Sequence, residues 1–131
     1  MPTEVTFQSD GFNTSESRPY FINPECYGDD LAKWMMERLR ATGYKTADEP
    51  GQEDFGWYFD FEVPAGPHCC VIGYQPDDPE GQWIVTLERS RGFIGSILGR
   101  RNKGIDEAAV KAIDGILTGA PEIRNVQWQN G

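Results

Sequence analysis

Residues 57 to 63, WYFDFEV, alternate without a break. In an extended chain successive side chains point to opposite faces, so Trp57, Phe59, Phe61 and Val63 share one side while Tyr58, Asp60 and Glu62 share the other. A segment of this kind requires a sheet with one aromatic, buried face and one wet face.

The neighbouring stretches extend that sheet. HCCVIGY, residues 68 to 74, is apolar on both faces, as a central strand should be. WIVTLER, residues 83 to 89, puts Trp83, Val85 and Leu87 on one side and Ile84, Thr86 and Glu88 on the other. AGP (65–67) and QPDDPEGQ (75–82) are rich in turn formers and connect the three as hairpins. YKTADE (44–49) is expected as an edge strand, and Val5 and Phe7 mark a short first strand. YFIN (20–23) suits a further extended piece, and residues 123 to 129 a last one with Val126 and Trp128 inward. Sequential hairpins predict an antiparallel meander of four to five strands.

Two helices are expected to cover the aromatic face. The first runs from Asp29 to Ala41, with Leu31, Trp34, Met35 and Leu39 on one side. Asp29 or Asp30 can cap it, Arg38 and Arg40 suit its C-terminal end, and Gly43 suits a left-handed stop. The second occupies residues 105 to 119, with Asp106 and Glu107 at its start and Ile105, Ala109, Ile113, Ile116 and Leu117 along its apolar side. The expected fold class is α+β: one domain over residues 1–131, with an N-terminal strand and polar arm (1–27) ahead of a helix–sheet–helix core (28–131).

Charge narrows the function classes. The chain of 131 residues has 12 Lys and Arg against 21 Asp and Glu, a net charge of −9. Residues 89 to 103, RSRGFIGSILGRRNK, hold five of the bases and no acid, which leaves 7 bases against 21 acids elsewhere. So acidic a body repels nucleic acid, and the basic island is too small to reverse that. No apolar run approaches the roughly 18 to 20 residues that cross a bilayer, and the first residues lack the basic start and apolar middle of a secretory leader. Three cysteines without scaffold spacing suit a reducing compartment, so a cytoplasmic location is expected.

The most reactive-looking residues are the single histidine, His68, and Cys69 and Cys70 beside it. Strand alternation sends the two thiols to opposite faces, so they cannot readily share a metal ion. His68 and Cys70 share a face, and Cys26 could join them, yet the four ligands and Cys-x-x-Cys pairs of structural zinc are missing. The expectation is strand packing, with no metal, no cofactor and no catalytic residue assigned. Phosphate-binding, dinucleotide-binding, hydrolase-elbow and metalloprotease motifs are all missing.

Two surfaces remain as candidates for partner binding. Tyr58, Asp60 and Glu62 form an acidic strand face. Arg91, Arg100 and Arg101 belong to the basic island, where Phe93, Ile94, Ile97 and Leu98 also suit an anchoring loop for a protein partner or membrane surface.

GDDLAKWMMERLRATGY, FGWYFDFEV and APEIRNVQW together resemble small bacterial α+β proteins, some of them immunity proteins of toxin-delivering secretion systems. The resemblance covers roughly residues 28 to 128 through core patterns alone, and no catalytic residue is carried over. It implies a non-catalytic role in a bacterial cytoplasm, with an acidic surface binding a basic partner protein. The alternatives are a small enzyme using surface carboxylates, with or without a divalent metal, and an adaptor acting through residues 89 to 103.

Overall fold

The structure, a computed structural model, describes residues 3–9, 12, 28–53, 56–75, 82–89 and 105–129. Along them run β1 (Glu4–Gln8), α1 (Asp29–Ala41), β2 (Lys45–Thr46), β3 (Gly51–Glu53), β4 (Gly56–Val63), β5 (Gly66–Gln75), β6 (Gln82–Arg89), α2 (Glu107–Thr118) and β7 (Arg124–Gln129). The strands form one antiparallel sheet in the order β2-β4-β5-β6-β1-β7, with β3 paired to β4 off that path. The α+β class, the antiparallel sheet and the helices on its aromatic face are as the sequence predicts. Seven strands rather than four or five make the sheet.

The meander holds for β4, β5 and β6. Trp57 pairs with Ile72, which pairs in turn with Val85. Beyond β6 the order departs from the chain, because β1 lies between β6 and β7 with Val5 opposite both Val85 and Trp128. A strand with neighbours on both edges satisfies all its backbone polar groups, which suits Val5 and Phe7 at 0% exposure. The edge strand expected over 44–49 shrinks to Lys45 and Thr46. Gly51, Gln52 and Glu53 of β3 carry no alternation, so periodicity does not reveal them. The expected extended piece at residues 20 to 23 lies outside the described residues.

The core sits between the sheet and the helices. From β4 come Trp57, Phe59, Phe61 and Val63; from α1, Leu31, Met35, Met36 and Leu39; from α2, Ile113, Ile116 and Leu117. Each large side chain removed from water here contributes about 1.5–3 kcal/mol before ordering costs. Val126 and Trp128 are half-buried and pack against this cluster. The Trp128 indole N–H donates to Asp114 Oδ1 at 2.9 Å, tying β7 to α2.

The helix ends correct one expectation. Gly28, not Asp29 or Asp30, is the N-cap of α1, and no side chain caps there. Asp30 Oδ1 instead accepts from the adjacent Leu31 N–H at 2.9 Å, while both acids sit in the first turn and complement the helix dipole. Gly43 at φ 98° provides the expected left-handed stop. Asp106 is a true N-cap of α2, its carboxylate accepting from Ala108 N–H at 2.9 Å.

Two glycines in the scaffold contrast. A Cβ on Gly56 would collide with the Ile72 carbonyl oxygen of β5, so the backbone there tolerates no side chain. A Cβ on Gly115, in the middle of α2, would meet nothing within 4 Å. Glycine in a helix interior costs about 1 kcal/mol relative to alanine, and at Gly115 no packing requirement offsets it.

Candidate functional site

With α1 and α2 on the aromatic face, the other face of the sheet carries the alternate residues. Three consecutive rows cross it. Glu62 lies opposite Lys45 on one side and Pro67 on the other. Asp60 lies opposite Cys69, which lies opposite Glu88. Tyr58 lies opposite Val71, which continues through Thr86 to Glu4. The three residues singled out from the sequence, Tyr58, Asp60 and Glu62, are therefore on this face, and the structure adds Glu4 and Glu88 to them.

Asp60 and Glu62 are exposed, whereas Tyr58 is half-buried with its ring across Gly51 of β3, where a Cβ would overlap it. Glu4 accepts from Gln129 Nε2 at 2.8 Å. Among the described side chains, Glu4, Asp60, Glu62 and Glu88 thus share this face with the Lys45 ammonium, and Tyr58 and Val71 lie in the row that ends at Glu4. Glu88 was legible as the wet side of residues 83 to 89. Glu4 was not, because its place depends on β1 entering beside β6.

The face is not uniformly flat. Lys45, Ala47, Asp60, Glu62 and Pro67 line a shallow depression of about 320 Å³ at its β2 edge. The Lys45–Glu62 register pair is worth at most about 1 kcal/mol as a cross-strand contact. Chemically, the depression offers carboxylate acceptors to a cationic group.

His68, Cys69 and Cys70 occupy β5 as alternation requires. His68 and Cys70 face the core at 0% exposure, and Cys69 lies on the open face yet is buried. The Asp106 backbone N–H donates to His68 Nε2 at 3.1 Å, and an Arg89 guanidinium nitrogen stands 3.5 Å from the same atom. Nε2 must then carry the lone pair, leaving the proton on Nδ1, which donates to the Gly66 carbonyl at 3.1 Å. Burial lowers the His68 pKa; the Gly66 bond opposes this, the Arg89 charge adds to it, and Asp106 opposes it. The imidazole is a neutral structural link.

Burial, with Cys69 and Asp60 adding to it, pushes the Cys70 thiol well above its ordinary range, the opposite of what a nucleophile needs. Among the described residues no three His, Cys, Asp or Glu side chains converge as metal ligands. Cys26, Arg91, Arg100 and Arg101 lie outside the described residues, as does the body of the basic island. No helix among the described residues is long and apolar enough to cross a membrane.

The fold and surface together define an α+β domain with an aromatic core under α1 and α2 and an acidic sheet face that no helix among the described residues covers. No protein-family model matches the chain, and no curated protein or solved structure does either.

Proposed function

We propose that the protein is a non-catalytic binding module whose acidic sheet face, opposite α1 and α2, takes a basic partner protein. The observation that carries this reading is that Glu4, Asp60, Glu62 and Glu88 share the face opposite the helices with Tyr58 and Val71. An aromatic and an aliphatic side chain beside like charges suit a protein interface, where Tyr is a frequent anchor. Carboxylates of one sign steer an oppositely charged partner and disfavour others. The resemblance to bacterial immunity proteins extends the reading to a cytoplasmic inhibitor of a basic toxin.

The test is association at low salt with a cationic nuclease domain as the defined partner class, for wild type and for Tyr58→Ala and Asp60→Asn/Glu62→Gln. Binding that weakens with salt and with both variants supports the reading. Binding indifferent to salt, or unchanged in both variants, removes this face from it.

The depression beside Asp60 and Glu62 supports a second reading, a small enzyme using these carboxylates on a cationic substrate. It requires turnover that is abolished in Asp60→Asn/Glu62→Gln. Turnover that survives that change ends it.

A further inference from the structure

On the helical side, the C-terminal part of α1 and the middle of α2 leave a groove of about 360 Å³ between them. Its apolar lining comes from Ala41, Ala112, Ile116 and Tyr44, and two basic residues, Arg38 on one helix and Lys111 on the other, also line it. Among the described residues no Asp or Glu lines it. From this we infer a second binding site, independent of the acidic face, for a small monoanion with an apolar body, of the aliphatic or aryl carboxylate class.

Two cations beside an apolar floor match a ligand with one negative end and one hydrophobic end. The exposed Arg38 guanidinium rests over the Trp34 ring with its carbon 5.3 Å from the centroid, a contact weak enough to give way to a carboxylate in the groove. Lys111 pairs with Glu107 at 3.5 Å, but both side chains are largely exposed, so the ammonium can turn to a ligand at little cost.

Both helices end near this groove, and free C-terminal carbonyls would repel an anion. They are occupied. Thr42 N–H and hydroxyl, Gly43 N–H and Tyr44 N–H take the carbonyls of Arg38, Leu39 and Arg40, and Gly119 N–H takes that of Gly115.

Gly115 keeps the floor of the groove bare. It lines the groove, it weakens α2, and nothing in the fold needs the missing Cβ. Its absent side chain leaves the groove floor open. A volume of 360 Å³ lies at the small end of ligand sites, which suits a short acid rather than a cofactor.

The experiment is a 1H–15N titration of the full chain with octanoate, and with octanol and octylamine as controls. Saturable shifts centred on Thr42, Ala112, Gly115 and Gly119 are expected with octanoate, with octanol and octylamine each at least about tenfold weaker. Arg38→Gln/Lys111→Gln should weaken octanoate by a similar factor, and Gly115→Leu should abolish the shifts. Gly115→Ala, which keeps the groove nearly open and favours the helix, controls for folding and should still bind. Octanol binding as well as octanoate, shifts centred elsewhere, no shifts, or full binding by folded Gly115→Leu would each overturn the inference. None of these outcomes bears on the acidic face, which Asp60→Asn/Glu62→Gln reports separately.

Discussion

His68 Nε2 accepts a hydrogen bond from the Asp106 backbone N–H across 38 residues of sequence, joining the sheet's central strand to the N-cap of α2. The same ring nitrogen faces Arg89 from β6, while Nδ1 donates to Gly66 at the start of its own strand. One neutral imidazole therefore holds three pieces of backbone and side chain together. Protonating it would turn the shared acceptor into a donor facing two donors, the Asp106 N–H and the Arg89 guanidinium.

Stability should consequently fall in mild acid. The His68 pKa lies below its ordinary value of 6.5 in the folded chain, so the unfolded chain binds the proton first as pH drops. The stabilising contribution is fully present above 6.5 and is lost as pH falls through the folded-state value, at no more than about 1.4 kcal/mol per pH unit. Urea unfolding between about pH 7.5 and about pH 5 checks this against His68→Phe. That variant should be less stable by about 2 kcal/mol near neutrality, because two backbone partners lose their bonds, and should lack the histidine-dependent part of the slope. Identical pH profiles would refute the link. As the only histidine, His68 also gives an isolated proton NMR titration.

The N-cap carries a separate expectation. Asp106→Ala removes the carboxylate bond to Ala108 N–H but leaves the backbone N–H that His68 uses, so it should cost about 1 kcal/mol. Asp106→Asn should retain most of the cap while lowering the His68 pKa further, because the nearby negative charge is gone. A histidine titration that does not move in Asp106→Asn would contradict the electrostatic part.

Replacing either scaffold glycine by alanine should have opposite effects. At Gly56 the new methyl meets the Ile72 carbonyl, and separating β4 from β5 there should cost about 3 kcal/mol or more. At Gly115 the methyl enters open space on a helix and should stabilise by about 0.5–1 kcal/mol. Thermal melts of the two variants measure both, and the same sign of shift in each would be the failing result.

Cys70 should resist alkylation in the native chain and react once the chain is unfolded. Its thiol is fully buried and held well above the ordinary range, so little thiolate exists to react. Peptide mapping after iodoacetamide treatment, with and without urea, gives the answer. Rapid native labelling at Cys70 would mean that β5 opens locally.

Much of the architecture was legible because it is written in local periods. Residues 57 to 63 bury Trp57, Phe59 and Phe61 and expose Asp60 and Glu62, and residues 29 to 41 and 107 to 118 turn their apolar sides to the same core. The separation of Cys69 from Cys70 followed from the same alternation. The acidic face was half legible: Tyr58, Asp60 and Glu62 lie on one strand, but Glu4 joins them only through pairing with β6.

The period of two and the period of three to four residues act through neighbouring bonds, so the sequence by itself determined the class of fold, both helices and the faces of the main strands. Strand order is decided elsewhere. The insertion of β1 between β6 and β7, the pairing of β3 with β4, and the Gly28 cap depend on which backbone groups find partners after collapse. The His68–Asp106 bond and the meeting of Arg38 with Lys111 around one groove likewise join residues far apart in the chain. Such contacts leave no periodic trace, since each is set by packing between whole elements, and only the tertiary structure decided them.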